Sequence, residues 1–299
     1  MSIKPRLALT IPNKPDQYFS FPLKKEIGIE RAEYGTFSKM LIISDVEGNF
    51  AGFRRQLIMN GVIDRSYKWI FEDGHLVIVG DCFDRGEQVT ECLWLIYGLE
   101  EKARRKGGCV HFILGNHEIM NLNGDWRYVH PKYAPASKSA KTALYNGNNE
   151  LWQWLCTKNI IEKVGSVLFV HAGIATELLN LNLSVSEINR IARPYYTRSN
   201  ELITNPVIHI IFNSESSPFW YRGYYKEIAS EDLIDATLKH FNVNTIVTGH
   251  TVVDKVSSFF NGKVINVDTD HASGNSEALL IKKHRFYRID KDGKRERLK

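Results

Sequence analysis

"LIISDVEGNF", residues 41–50, carries a run of apolar or small residues into Asp45, skips one position, and adds Glu47, Gly48 and Asn49. Such a run reads as a buried strand that stops on two carboxylates with a glycine behind them. Two negative charges this close repel unless a cation, a proton or an arginine lies between them. A metal is the expectation here. Asn49 then caps a helix that runs to about Asn60, where Gly61 closes it.

The pattern repeats outward from this stretch. "HLVIVG" (75–80) is a second buried strand, and "QVTECLWLIYGLEEKARRK" (88–106) has helical periodicity with basic residues in its last turns, where they suit the helix dipole. "CVHFILG" (109–115) is a third strand. Strand, helix, strand, helix, strand predicts a parallel sheet with crossovers, and ligands gather where such strands end. Residues 119–147, rich in Asn, Gly, Lys and Tyr, read as a long functional loop. Helix returns at 150–158, and residues 159–173 form two strands joined at Gly165 and Ser166. Ser184 with Glu187 marks a capping box for a helix to about Arg193. An amphipathic helix spans 230–241, with "NTIVTGH" as strand and loop after it. The last third reads as antiparallel β: a hairpin around Asn261 and Gly262, then "EALLIKK" and "HRFYRID". Residues 1–38, interrupted by Pro5, Pro12, Pro15 and Pro22, show little periodicity and are expected to lie on the surface as an arm.

At 299 residues with 43% hydrophobic content the chain can bury a large core. Its net charge of +5 comes from 39 basic against 34 acidic residues, too scattered for a nucleic-acid surface. No stretch is long and apolar enough for a membrane span, and the N-terminus has no continuous apolar leader. Cys82, Cys92, Cys109 and Cys156 have no CxxC spacing and read as reduced core thiols of a cytoplasmic protein.

Every strand end carries polar residues of one chemical kind: Asp45 and Glu47; Asp81, Asp84 and Arg85; Asn116, His117 and Glu118; His171; and His250. Singly, a strand-end Asp or Asn is usually a turn residue or helix cap, and a lone His a hydrogen-bonded core residue. Together they point to an oxygen and imidazole site for Mn, Fe, Zn or Mg, without thiolates.

"GDCFDRG" (80–86), "GNHE" (115–118), "HAG" (171–173) and "TGHT" (248–251) resemble, in order and spacing, the calcineurin-like metallophosphoesterases. "MNLNGDWRYV" (120–129) and "SPFWYRGYY" (217–225) narrow the resemblance to the phosphoprotein phosphatase branch that includes the bacterial Shewanella-like phosphatases. The resemblance covers about residues 39–270. It implies an α/β fold of two mixed β-sheets packed as a central sandwich flanked by helices. The arm would be 1–38 and the metallophosphoesterase domain 39–299, with specificity loops at 119–147 and 174–229.

The resemblance also implies two divalent metal ions, Mn2+ first among Mn, Fe, Zn and Mg. Asp81 would bridge them, Asp45 and Glu47 would complete one site, and Asn116, His171 and His250 the other. A metal-bridging hydroxide would attack phosphorus, and His117, oriented by Asp84, would protonate the leaving oxygen. Arg85, Arg222 and Asn116 would hold the phosphate, although Arg222 beside aromatics also reads as an ordinary surface arginine. Where the family carries a histidine ligand, this chain has Glu47, which makes the first site all carboxylate and favours hard ions.

The expected function is hydrolysis of phosphomonoesters on a protein or a small molecule, with no nucleic-acid or membrane partner and the oligomeric state left open. Its rivals are a dinucleoside polyphosphate hydrolase and a non-catalytic binding protein of the same fold.

Overall fold

The computed structural model describes residues 5–11, 14–133, 147, 149–198, 204–212, 215–226 and 228–298. Parts of the two loops read as specificity loops, 134–146, 199–203, 213–214 and 227, lie outside the described residues. The N-terminal segment forms β1 (Arg6–Ile11) and β2 (Lys14–Pro22), an antiparallel hairpin, followed by β3 (Glu33–Tyr34). The regular part then runs β4 (Lys39–Ile43), α1 (Phe50–Met59), β5 (His75–Val79), α2 (Val89–Arg104), β6 (Cys109–Ile113) and α3 (Asn116–Leu122). After it come α4 (Glu150–Cys156), β7 (Ile161–Val164), β8 (Val167–Val170), α5 (Thr176–Asn180), α6 (Val185–Ala192), α7 (Pro206–Phe212) and α8 (Glu231–Phe241). The chain closes with β9 (Thr245–Thr248), β10 (Ser257–Phe259), β11 (Val264–Asn266), β12 (Ala278–Lys282), β13 (Arg285–Ile289) and β14 (Arg295–Arg297).

Two six-stranded sheets result, in the orders β14-β13-β12-β4-β5-β6 and β10-β11-β9-β8-β7-β3. Both are mixed. β4, β5 and β6 are parallel, as the βαβ reading requires, while β12 joins β4 antiparallel. The antiparallel reading of the last third needs one correction: β10 and β11 do form a hairpin, but β11 lies parallel to β9, with Asn266 opposite Thr248.

Alternation along the strands builds the sandwich. Met40, Ile42, Val77 and Val79 face Val167, Phe169, Val247 and Ile265 in one apolar layer between the sheets. Leu41, Ile43, Leu76 and Ile78 point the other way, into the core beneath the helices, as do Leu168, Val170 and Ile246 from the second sheet. The helix starts obey the capping rules: Asn49 accepts the Gly52 N–H at 2.9 Å, and Ser184 and Glu187 close the anticipated box.

The N-terminal segment departs from the reading of a surface arm. β3 extends the second sheet beside β7, and Phe19 and Phe21 are buried. Phe21 stacks near Trp94 and Tyr97 and occupies the space over Gly98 of α2, where a Cβ would stand 2.6 Å from its ring. Of the four cysteines, Cys82 and Cys92 are buried whereas Cys109 and Cys156 are only half-buried, and all are free. Among the described residues no helix is long and apolar enough to cross a membrane.

Candidate functional site

β4, β5, β6, β8 and β9 deliver their C-terminal ends to one edge of the sandwich, and the polar residues that follow them converge there. Backbone bonds tie the loops together: Asp45 N–H to Gly80 O (3.0 Å), Glu47 N–H to Asp81 O (2.9 Å) and Gly249 N–H to His171 O (2.8 Å). Asp45, Glu47, Asp81, Asp84, Arg85 and His250 all hold positive φ, between 46° and 71°. A non-glycine residue in that region is strained, and it persists where surrounding bonds over-determine it.

Asp81 stands at the centre. Its carboxylate lies 3.1 Å from His171 Nε2 and 3.8 Å from His117 Nε2, and it accepts the His117 N–H at 2.9 Å. It belongs to two clusters of donor atoms that could hold a cation, one with His171 and His250 and one with Glu47 and His117. Asn116 Oδ1 is 3.0 Å from His171 Nε2, while His171 Nδ1 is held by Val79 O at 2.7 Å, so the Nε2 face is turned to the cluster. His250 Nε2 is buried without a hydrogen-bond partner. An orphaned imidazole nitrogen among carboxylates is what a divalent cation would satisfy, and this donor set fits one.

Three answers were open for the Asp45 and Glu47 pair, and the structure shows how each charge is met. Asp45 Oδ2 accepts the Ser44 hydroxyl and the His250 N–H, the latter at 3.1 Å. Burial and then the neighbouring Asp268 carboxylate hold the Asp45 carboxyl well above the usual range. Glu47, also buried, forms an ion pair with Arg85. Burial would raise Asp81 too, but the imidazoles of His171 and His117 outweigh it and hold Asp81 below the usual range. The same pairing lifts His171, against its burial, to about 10.

His117 is clamped. Its Nδ1 lies 2.5 Å from Asp84 Oδ2, and Asn121 Nδ2 donates both to Asp84 Oδ1 and to His117 O at 2.9 Å. Tyr128 packs over the ring at 5.3 Å, and its carbonyl accepts the Arg85 N–H. Glu118 holds the two motif loops to each other by accepting the N–H groups of Asp81, Cys82 and Gly115 at 2.7–2.8 Å. Arg222 approaches from the loop after α7, with Nη1 3.2 Å from His250 O and 3.3 Å from Thr251 Oγ1. It lines a cavity of about 810 Å³ with Trp220, Tyr221 and Phe212.

The ten strand-end residues singled out in the sequence therefore lie at or beside this edge, and Arg222 reaches it at His250. Residues 38–254 match the calcineurin-like phosphoesterase family. The chain belongs to that family. Among solved structures, this calcineurin-like phosphoesterase is similar to the cold-active protein-tyrosine phosphatase of a psychrophilic Shewanella species, with a TM-score of 0.89 and 37% identity over 98% of this chain and 90% of that one. Among curated proteins it is similar to Shewanella-like protein phosphatase 2 of Arabidopsis thaliana, 25% identical over 81% of this chain and 73% of that one. The symmetrical bis(5'-nucleosyl)-tetraphosphatase of Shewanella loihica is 37% identical, but over only 33% of this chain.

One carboxylate escaped the sequence reading. Asp268 is 2% exposed and sits two residues beyond β11, among the site's charges. The strand-end rule that found the others would have found it, had "KVINVD" been read as a strand running parallel to its neighbour rather than as one arm of an isolated hairpin.

Proposed function

We propose that the chain is a divalent-metal-dependent phosphatase of phosphomonoesters, with phosphotyrosyl peptides as its favoured substrate class and the cytoplasm as its compartment. The observation that carries the proposal is the clamped His117 ring beside the Asp81 cluster. Asp84 takes Nδ1, so the proton on the other ring nitrogen is the one free to move, and Asp81 and Asp84 favour the charged ring against its burial. A leaving aryloxide or alkoxide placed against Nε2 would be protonated there.

Two divalent cations, held by Asp45, Glu47, Asp81, Asn116, His171 and His250, would supply the nucleophile and the Lewis-acid charge. Manganese is the ion proposed, because oxygen donors dominate on the Glu47 side. Arg85 reaches the same edge half-exposed, and Arg222 keeps guanidinium N–H groups beyond those spent on His250 and Thr251, so the two can grip one phosphate. Tyr128 over His117, with Trp220 against His250 at 5.7 Å, gives a phosphorylated ring aromatic walls on two sides. The free cysteines suit a reducing compartment.

The experiment is metal reconstitution of chelated protein. Activity on an aryl phosphate should vanish on chelation and return best with Mn2+, and Asp81→Asn should abolish both binding and turnover. Undiminished activity after complete chelation would refute the mechanism. Dinucleoside polyphosphates turned over with kcat/KM a hundredfold above that for any phosphomonoester would refute the substrate class.

A further inference from the structure

The cavity of about 810 Å³ opens between the starts of α5 and α8, the end of α7 and the segment 215–228. Two residues join it to the site. Arg222 turns Nη1 to His250 O at 3.2 Å and lines the cavity, and Trp220, edge-on to the His250 ring at 5.7 Å, lines it too. The shared wall is held in place by its own bonds. Trp220 and Tyr221 N–H both donate to Ser217 O, at 3.0 and 2.9 Å, the Ser217 hydroxyl donates to Ile211 O at 2.6 Å, and Tyr225 N–H closes a turn on Arg222 O at 3.0 Å. A pocket shaped in advance loses little to ordering when it is filled.

The lining changes character outward. Phe212 and Tyr221 are buried, whereas Trp220, 36% exposed, and Ile228, 70% exposed, offer apolar surface to water. Glu177, Glu215 and Lys226 complete the exposed part. With Arg222 turned to His250, two carboxylates there face one ammonium.

We infer that this cavity is the subsite for an apolar side chain flanking the phosphotyrosine of a peptide substrate, and that its outer carboxylates select a basic residue beyond. The inference rests on the proposed phosphopeptide reading. A phosphotyrosine gripped by Arg85 and Arg222 brings its chain neighbours, spaced about 3.3 Å per residue, over the shared Trp220 wall. The aromatic lining suits an apolar side chain, and the volume lies within the roughly 300–1,000 Å³ of ordinary ligand pockets. The same carboxylates repel the further phosphates of a dinucleoside polyphosphate, so the charge of the rim favours the peptide over a nucleotide.

The test is a series of phosphotyrosyl peptides with alanine at every flanking position, compared with peptides carrying a single Leu or Phe within two residues on either side. At one of those positions the Mn2+-loaded parent should gain at least about tenfold in kcat/KM, chiefly through KM, and Lys one position further out should serve better than Glu. Two variants tie the gain to the cavity. Thr176→Trp fills it from an exposed position at the start of α5, and Ile228→Asp puts a charge on its exposed apolar rim. Each should erase the gain and leave turnover of phenyl phosphate, too small to reach the cavity, at the parental rate. A flat peptide series beside normal phenyl phosphate turnover overturns the inference, as does a gain that survives both variants. Competition by diadenosine tetraphosphate that is tighter than by the best peptide and is lost in Thr176→Trp would assign the cavity to a nucleotide, and so overturn it too. A parent that hydrolyses no phosphomonoester instead overturns the functional reading on which it rests.

Discussion

His117 is the general acid of the proposed mechanism, and its placement makes a prediction about leaving groups. Asp84 and Asn121 fix the ring from one side and Tyr128 covers it, so nothing about its orientation awaits substrate. A general acid matters most when the departing oxygen is basic, and its removal typically costs about 10²–10⁴ in rate. His117→Asn should therefore lower kcat on phosphotyrosine or phenyl phosphate by roughly that factor. On p-nitrophenyl phosphate, whose leaving group departs without help, the loss should be much smaller. Equal losses on both substrates would show that His117 does not deliver the proton. Glu47 is where residue-level reading stopped short. Sequence alone favoured a cation over a proton or an arginine for the carboxylate pair and did not foresee the ion pair of Glu47 with Arg85, which folds back across a loop from 38 residues away.

At the scale of elements, the sandwich hides a second polar cluster among β5, β6 and β7. His111 Nδ1 lies 2.7 Å from Glu162 Oε2 and its Nε2 lies 2.9 Å from His75 Nδ1. Burial would lower His111, but the Glu162 carboxylate outweighs it and lifts the ring to about 10. Burial and then the His111 charge push His75 down to about 4. An unfolded histidine titrates near about 6.5. The His111 contribution is thus fully present below that pH and lost as pH rises through about 10. His75 works in the opposite range, since between about 6.5 and 4 the unfolded chain takes up its proton first and stability falls with pH. Unfolding free energies from urea titrations should decline from pH 7 to 9.5 by at most about 1.4 kcal/mol per pH unit from this site, and His111→Gln should flatten that slope. A parent protein with no decline over that range would show that His111 is not held charged. Elements with a clear period were legible in the sequence: the parallel strands, α1, α2, α6 and α8 all stand where periodicity and caps put them. Short pieces such as α5, α7 and β14 were not, because three to seven residues do not establish a period and tertiary contacts decide them.

Over the whole molecule, the proline-broken first segment shows why sequence reading fails at the periphery. β1 and β2 pair only with each other, so neither carries the continuous apolar run of a central strand, yet Phe19 and Phe21 enter the main core. Phe21→Ala should cost about 3–5 kcal/mol, the range for emptying a buried aromatic site. A loss below about 1 kcal/mol in chemical denaturation would mean that the hairpin is an ornament and not part of the core. The candidate site was the most legible part of the chain, because all of its residues except Arg222 come after a strand that announces itself. Six of the ten candidate residues nevertheless bend the backbone into the left-handed region. Each such bend costs on the order of 1 kcal/mol or more, and glycine would relieve it. A search for heat-tolerant variants will therefore find its easiest local gains at Asp45, Glu47, Asp81, Asp84, Arg85 and His250, and every one of them removes a side chain of the proposed site. Selection for activity and selection for endurance pull these six positions in opposite directions.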